Sequence, residues 1–438
     1  MTDFPELLFM RPMGEHAWAQ IDRASIALLY YQNDVSFFQP QTHNIALNSS
    51  GIAIGEFPLQ TFFVSQLYHI FGFHEYLFRS TVLVSSIIGF VVAFVISNKF
   101  IKNKLLSLTV SLGWLLSPNL IYYSTGFLPD TFALTLFLSG LYFLLKTFPE
   151  ITVKNLWWFV FFSSFSLLEK SSVLFIYLPV CLAICLHLKE QKTSLKSIVS
   201  KCSVLIIPVF VIISWIFYAS YMQKEFHSNV FLLKPKFPHS FEDFVLILKQ
   251  FSGKLFDFYP VFIFILLFFS LIYLALNLKK IPVFFSTIIL GSILGWVVFF
   301  VTLSRQAWFH GYYHIPFQFI VFMIFFTTVY FYESGVIQER FRKFHTLILI
   351  LSFYFGISAI NNYFAKRAYH YDLINRNWMD VGLILDKLDV HKNSKIVTCN
   401  DNSYNISLYL MNRRGWNITE QSWDYFIEEA FSDCDFWC

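Results

Sequence analysis

Charge is scarce in this chain. Asp, Glu, Lys and Arg together make up 14 % of its 438 residues, where a soluble globular chain carries about 25 %. No CxxC pair occurs among the six cysteines, which disfavours a zinc knuckle. The net charge of +4 is spread over loops, which excludes a basic face for nucleic acid. Residues Met1 to Met13 hold neither a signal peptide nor a span; the apolar piece Leu7–Met10 is far too short for either. Internal repeats and low-complexity segments are absent.

What is present is apolar. Hydrophobic residues make up 56 % of the chain, and 56 residues are Phe. Ten long apolar runs read as membrane-spanning helices at about 76–97, 105–122, 130–146, 155–168, 171–188, 202–222, 259–277, 282–303, 313–332 and 346–361. The expected fold is an all-α polytopic membrane protein of about ten spans. It divides into an outer loop (1–75) with interfacial helices, a helical domain (76–361), and a small α/β segment (362–438).

Few ionisable residues lie near the middle of a run. That is expected, because a charge at a bilayer centre costs about 3 kcal/mol on insertion scales. Their gathering at one end is not required by that cost. Glu169, Lys170, Arg305, His310 and His314 lie there, with Arg79 and Asp130 at the matching ends of two other runs.

Loop cations orient the chain. One set of loops holds Lys99, Lys102, Lys104, Lys146, Lys154, Lys189, Lys192, Lys196, Lys201, Lys279, Lys280, Arg340, Arg342 and Lys343. The other holds Lys170, Lys224, Lys234, Lys236, Lys249, Lys254 and Arg305. The richer set is assigned to the cytoplasm, so both termini lie outside. Residues 1–75 agree, with Arg11 and Arg23 against seven carboxylates. An outside N-terminus needs a carrier, which predicts a further span upstream of Met1. A Cys399–Cys434 or Cys399–Cys438 disulfide is compatible with an outside C-terminal segment.

Within the outer loop, Glu15–Asn33 reads as one helix and Pro58–Phe71 as another, each too short and polar to span. Phe241–Phe256 reads as a surface helix. In the C-terminal segment, Trp378–Leu388 reads as helix, Lys395–Cys399 as strand, Tyr404–Met411 as helix and Arg413–Trp416 as a turn.

Four constellations could carry chemistry. Glu15 and Asp22 share a helix face two turns apart, and with Glu56 they place three carboxylates on one outer surface. They suit general-base or cation-holding roles, although a solvated acidic face also explains them. Pro129-Asp130 opens a span, where Asp can simply cap the helix. Glu169-Lys170 breaks two apolar runs; the pair could neutralise itself, or Lys170 could receive an anionic head group. Ser304–Pro316 combines Arg305, His310 and His314 with interfacial aromatics. The two histidines stand at i, i+4 but lack a nearby third ligand, which disfavours zinc.

In this order these motifs resemble the GT-C superfamily of integral-membrane glycosyltransferases. The likeness is to the bacterial family-39 type, related to protein O-mannosyltransferases and lipid A aminoarabinose transferases. It covers roughly residues 11–330. It is carried by Glu15, Trp18-Ala19-Gln20, Asp22, Asn33-Asp34, Pro40, Glu56-Phe57-Pro58, Phe71-Gly72, Arg79, Pro129-Asp130, Lys170 and His310-Gly311-Tyr312-Tyr313.

The resemblance implies sugar transfer from a polyprenyl-phosphate donor to an envelope lipid, glycan or protein acceptor. The site would lie on the extracytoplasmic side of a bacterial inner membrane. Glu15 would deprotonate the acceptor, with Asp22 sharing that role; many relatives have an Asp-Glu pair where this chain has Gly14-Glu15. Asp130 and Glu56 would orient the acceptor. Lys170 and Arg305 would hold the donor phosphate. Arg79, His310, Tyr312 and Tyr313 would line the substrate pocket. The resemblance names no cofactor, and a divalent metal remains open. A multi-pass transporter or flippase is the alternative, but transporters place binding groups at the midplane on broken helices.

Overall fold

The computed structural model describes residues 8–33, 35–45, 50–226, 235–334, 354, 356–362, 372–399, 401, 403–418 and 436–437. In chain order the helices begin with α1 (Ala17–Gln32), α2 (Leu59–Phe71), α3 (Glu75–Phe100), α4 (Lys104–Leu115), α5 (Pro118–Ser124), α6 (Asp130–Lys146), α7 (Val153–Glu169) and α8 (Leu174–Glu190). There follow α9 (Leu195–Ser203), α10 (Ile207–Glu225), α11 (Phe241–Ser252), α12 (Leu255–Phe258), α13 (Val261–Leu276), α14 (Val283–Thr302), α15 (Ser304–Ala307), α16 (Gln318–Ser334), α17 (Asp372–Lys387) and α18 (Ile406–Met411).

The architecture is all-helical apart from a small sheet near the C-terminus. By length and composition, five described helical stretches can cross a membrane, or six if one bent pair counts as a span. Shorter apolar helices such as α6, α7 and α13 pack among them. Only helices and closed barrels can meet their backbone hydrogen bonds inside a bilayer. Large apolar side chains accordingly point outward as well as inward: Val84, Ile87 and Val91 on α3, and Leu290 and Leu294 on α14, are all exposed.

Close approach of the spans depends on small residues. A Cβ on Gly295 would lie 2.2 Å from the Phe175 carbonyl oxygen, and one on Gly291 would lie 2.8 Å from Pro179 Cβ. These glycines, one turn apart, let α14 lie directly on α8.

Two expectations need correction. The run 105–122 is not one straight helix: α4 and α5 meet at 79°. The cause is Ser117-Pro118. Proline lacks the N–H that would continue the ladder, so the chain restarts with Pro118 in the first turn and Ser117 Oγ accepting from Leu120 N at 3.2 Å. Arg413–Trp416 is not merely a turn either. Gly415–Ile418 forms β2, parallel to β1 (Ile396–Cys399), and β3 (Phe436–Trp437) lies parallel on the other side of β1. Most of the expected span 346–361, together with Cys434 and Cys438, lies outside the described residues.

The outer loop and the C-terminal segment fold together. Ile45 N donates to Gly415 O at 2.9 Å and Gly415 N to His43 O at 3.1 Å, so residues 43–45 run beside β2. Arg11 donates to the carbonyl of Leu410 at 2.7 Å. Ile21, Leu28, Tyr68, Phe78, Phe127 and Tyr409 share one buried cluster. Helix α1 is therefore buried nearly all round.

Candidate functional site

The N-terminal end of α6, the C-terminal end of α7 and the loop before α2 converge beside α1. Each brings a charge. Glu56 accepts from Lys170 Nζ at 2.7 Å on one oxygen and from the Arg23 guanidinium on the other. Lys170 Nζ also stands 3.1 Å from Asp130 Oδ1. Asp130 has no exposure, and Lys170 is 5 % exposed. Charges this deep persist only in pairs.

Burial drives Glu56 upward, but Arg23 and Lys170 outweigh it and hold the carboxyl below its usual range. Burial disfavours charge on Lys170, but Asp130 and Glu56 overcome that and raise its pKa above the usual lysine value. Arg23 and Lys170 are cationic and Glu56 is anionic near neutrality.

Lys170 breaks the backbone between α7 and α8 with an extended conformation, φ −147° and ψ 104°. That kink turns the side chain into the cluster. It also separates Lys170 from its neighbour: Glu169 Oε1 instead accepts from Gln60 N at 2.8 Å. The Glu169–Lys170 pair does not neutralise itself.

Beside this cluster lies a cavity of about 270 Å³. Lys170, Glu56, Ser171 and Tyr313 contribute polar wall, and Phe175, Phe299 and Leu303 contribute apolar wall. The Lys170 ammonium lies 5.1 Å from the Tyr312 ring centroid and 4.9 Å from that of Tyr313, within cation–π range.

Tyr312 joins this charged group to a second one. The His16 ring meets Tyr312 edge-on at 5.2 Å and stacks on His310 at 5.3 Å. His310 in turn stacks on Tyr313 at 4.9 Å, and its Nδ1 lies 2.8 Å from the Gln306 carbonyl. Burial, with lesser help from nearby cations, pushes His310 down to about 4 and His16 well below its ordinary value. Both imidazoles are neutral at pH 7.

Glu15 sits behind His16, with Oε1 3.6 Å from His16 Nε2 and Oε2 accepting from the Tyr123 hydroxyl at 3.5 Å. Gly14 is needed at this corner. Its φ is +88°, and a Cβ there would lie 2.3 Å from the Tyr122 hydroxyl oxygen, whose oxygen receives the Glu15 N–H at 2.7 Å.

Glu56, Asp130, Lys170, Tyr312 and Tyr313 thus meet, with Glu15 and His310 adjoining. Three other expected residues stand elsewhere. Asp22 is buried against the C-terminal segment, where Asn405 and Asp401 face it; burial raises it to about 7, against a lowering by Arg23. The Arg79 guanidinium donates to the carbonyls of Met10 at 2.9 Å, Arg11 at 3.0 Å and Thr125, and lies over Phe127. Its geometry is that of a backbone clasp. Arg305 is exposed on α15.

His314 points away from His310. Its Nδ1 receives the Trp296 indole N–H at 3.1 Å, and its Nε2 lies 2.8 Å from the Ala307 carbonyl. No group of three or more metal-ligating side chains is clustered among the described residues.

Sequence reasoning missed Arg23, His16 and Tyr123. Arg23 follows Asp22 directly, and one of only two arginines in an acidic loop, next to a candidate base, was the available signal. Nothing in the sequence singled out Tyr123.

No family model and no curated protein sequence matches the chain. Its fold does match solved structures. The crystal structure of ArnT from Cupriavidus metallidurans bound to undecaprenyl phosphate superposes with a TM-score of 0.60 at 9 % identity, over 98 % of this chain and 87 % of that one. The apo structure of the same protein gives 0.59 at 10 % identity, over 91 % and 80 %. ArnT is an aminoarabinose transferase of the GT-C superfamily. The chain therefore has a GT-C-like membrane fold.

Proposed function

We propose that this protein is a membrane glycosyltransferase that moves a sugar from a polyprenyl-phosphate donor to an envelope lipid, glycan or protein acceptor on the extracytoplasmic side. The observation that carries this reading is the cavity beside Lys170, whose lining joins that ammonium, paired with Glu56, to aromatic and aliphatic side chains. A lipid phosphate has that same division. The neighbouring ArnT structure holds undecaprenyl phosphate.

Transfer with inversion breaks the bond between the anomeric carbon and the phosphate oxygen as the acceptor oxygen bonds to that carbon. The acceptor's proton goes to a base, and the electron pair leaves with the lipid phosphate. Lys170 would stabilise the charge developing on the phosphate. Glu56 and Asp130 fix its ammonium, which limits reorganisation during the reaction.

Glu15 is the proposed base, because its carboxylate lies one residue from His16, which shares the Tyr312 ring with Lys170. Base and leaving-group clamp must flank the anomeric carbon; between Glu15 and Lys170 stand His16 and the Tyr312 ring. Glu56 is a poor base, since two cations hold its proton affinity down. His310, Tyr312 and Tyr313 would form the pocket wall.

The test is transfer by the purified protein from a polyprenyl-phosphate sugar, joined to mass spectrometry of envelope lipids and glycans with and without the gene. Glu15→Gln should abolish transfer at unchanged protein abundance. Full activity in both Glu15→Gln and Asp22→Asn would remove both assigned bases. Movement of a substrate across liposomes without sugar transfer would favour a transporter.

A further inference from the structure

A second cavity, of about 620 Å³, lies between the end of α1 and the C-terminal segment. It has more than twice the volume of the one beside Lys170 and falls within the roughly 300–1,000 Å³ of small-ligand clefts. Lys392, Lys395 and Arg414 line it, and among the described residues no carboxylate does. The remaining polar wall is mostly side-chain amide, from Gln32, Asn33, Gln41, Asn393 and Asn412. Leu29, Val35 and Ile45 add a short apolar strip.

Two of these groups are held ready for a ligand. Arg414 donates one nitrogen to the Ser50 carbonyl at 3.0 Å, while its Nε is buried with no hydrogen-bond partner among the described residues. Asn412 is fixed in the left-handed region, φ 51°. His43 N donates to Ser25 Oγ at 3.0 Å, and the same hydroxyl lies 2.7 Å from His43 Nδ1. On the other side of the ring, Nε2 lies 3.4 Å from Asn412 Oδ1, an amide oxygen that can only accept. The amide oxygen is thereby occupied, and the Asn412 NH₂ remains to donate. Planar amides and cations around a small apolar strip match a sugar ring's hydroxyls, its C–H face and an acidic substituent.

We propose that this cleft is a binding site for an anionic oligosaccharide, the acidic part of the acceptor. The assignment of the ligand as acceptor rests on the glycosyltransferase reading; the binding itself does not. Arg23, which anchors Glu56, and Gln32 at the cleft are nine residues apart on α1, roughly 14 Å at helical rise. A chain of several sugars, not a single one, is needed to reach both places. The cleft would thus select acidic glycans while transfer occurs beside Tyr312.

The experiment is calorimetric titration of the purified full chain in phosphatidylcholine nanodiscs. The probes are trigalacturonate, a phosphorylated maltotriose and plain maltotriose. At least one charged probe should bind roughly tenfold or more tighter than maltotriose, and added salt should erode the difference; the tighter of the two names the preferred acidic group. The double variant Lys392→Gln/Lys395→Gln should lose that preference while binding undecaprenyl phosphate like the wild type. Equal affinity for all three probes, or a double variant indistinguishable from wild type, would overturn the proposal. Selective binding of a charged probe without any sugar transfer would sink the glycosyltransferase reading and leave the cleft standing.

Discussion

Replacing Lys170 with Met removes the cation shared by Glu56 and Asp130. Glu56 keeps Arg23. Asp130 loses the one cation at ion-pair distance among the described residues, keeps only the more distant attraction of Arg23, and has no exposure. Stranding one partner of a buried pair costs about 3–5 kcal/mol, so Lys170→Met should fall in that range. Asp130→Asn leaves Lys170 paired with Glu56 and should cost about 1 kcal/mol. The double variant removes both charges and should cost much less than Lys170→Met alone. The coupling energy should then be about 2–3 kcal/mol, roughly a 30- to 150-fold change in the unfolding equilibrium. Reversible unfolding in mixed micelles measures all four corners. Coupling below about 0.5 kcal/mol would refute the description of Lys170 and Asp130 as an interdependent buried pair. Both Lys170 variants should also lose binding of undecaprenyl phosphate, stable or not.

Other outcomes follow from the same geometry. Arg305→Ala should leave binding of undecaprenyl phosphate within about twofold of wild type, since that side chain is exposed and does not line the cavity, although its neighbours Leu303 and Gln306 do; a loss approaching that of Lys170→Met would return it to the phosphate site. Arg79→Lys gives up the fork that holds three carbonyls and should lower stability by about 2 kcal/mol without raising KM for the donor, which thermal unfolding and kinetics separate. Gly415→Ala places a Cβ 1.7 Å from the Ile396 carbonyl oxygen and should cost at least about 1–3 kcal/mol, read as a lower Tm and faster proteolysis of the C-terminal segment. Asp22 has its pKa raised by burial to about 7. Above about pH 4 the unfolded chain loses this proton while the folded chain keeps it, so stability declines as pH rises towards 7. The Tm of Asp22→Asn relative to wild type should therefore climb between pH 4 and pH 7 and level off beyond; a difference independent of pH would refute the shift.

Burial separates what was legible in the sequence from what was not. The long apolar runs betray themselves because lipid demands helices of a certain length and composition. The gathering of charges at one end was visible for the same reason: a charge in mid-bilayer is costly, so those that occur stand out. Which charge pairs with which was not visible. Glu169 and Lys170 are neighbours in sequence, yet the extended backbone at Lys170 turns them to different partners, over a hundred residues away. Arg79 carries the residue type of a phosphate ligand and proves to be a clasp for carbonyls, which only the paths of residues 10–11 and 125 decide.

The sequence by itself determined the solvent of this protein, its helical class and the end of the spans where polar groups collect, because these follow from transfer free energies summed over local runs. The tertiary structure alone decided that the outer loop and the C-terminal segment close into one body, that Tyr312 joins two polar groups, and that three cations far from the spans share a cleft. Those are matters of pairing between distant segments, set by side-chain geometry and the need to satisfy buried donors and acceptors, for which periodicity and composition carry no signal.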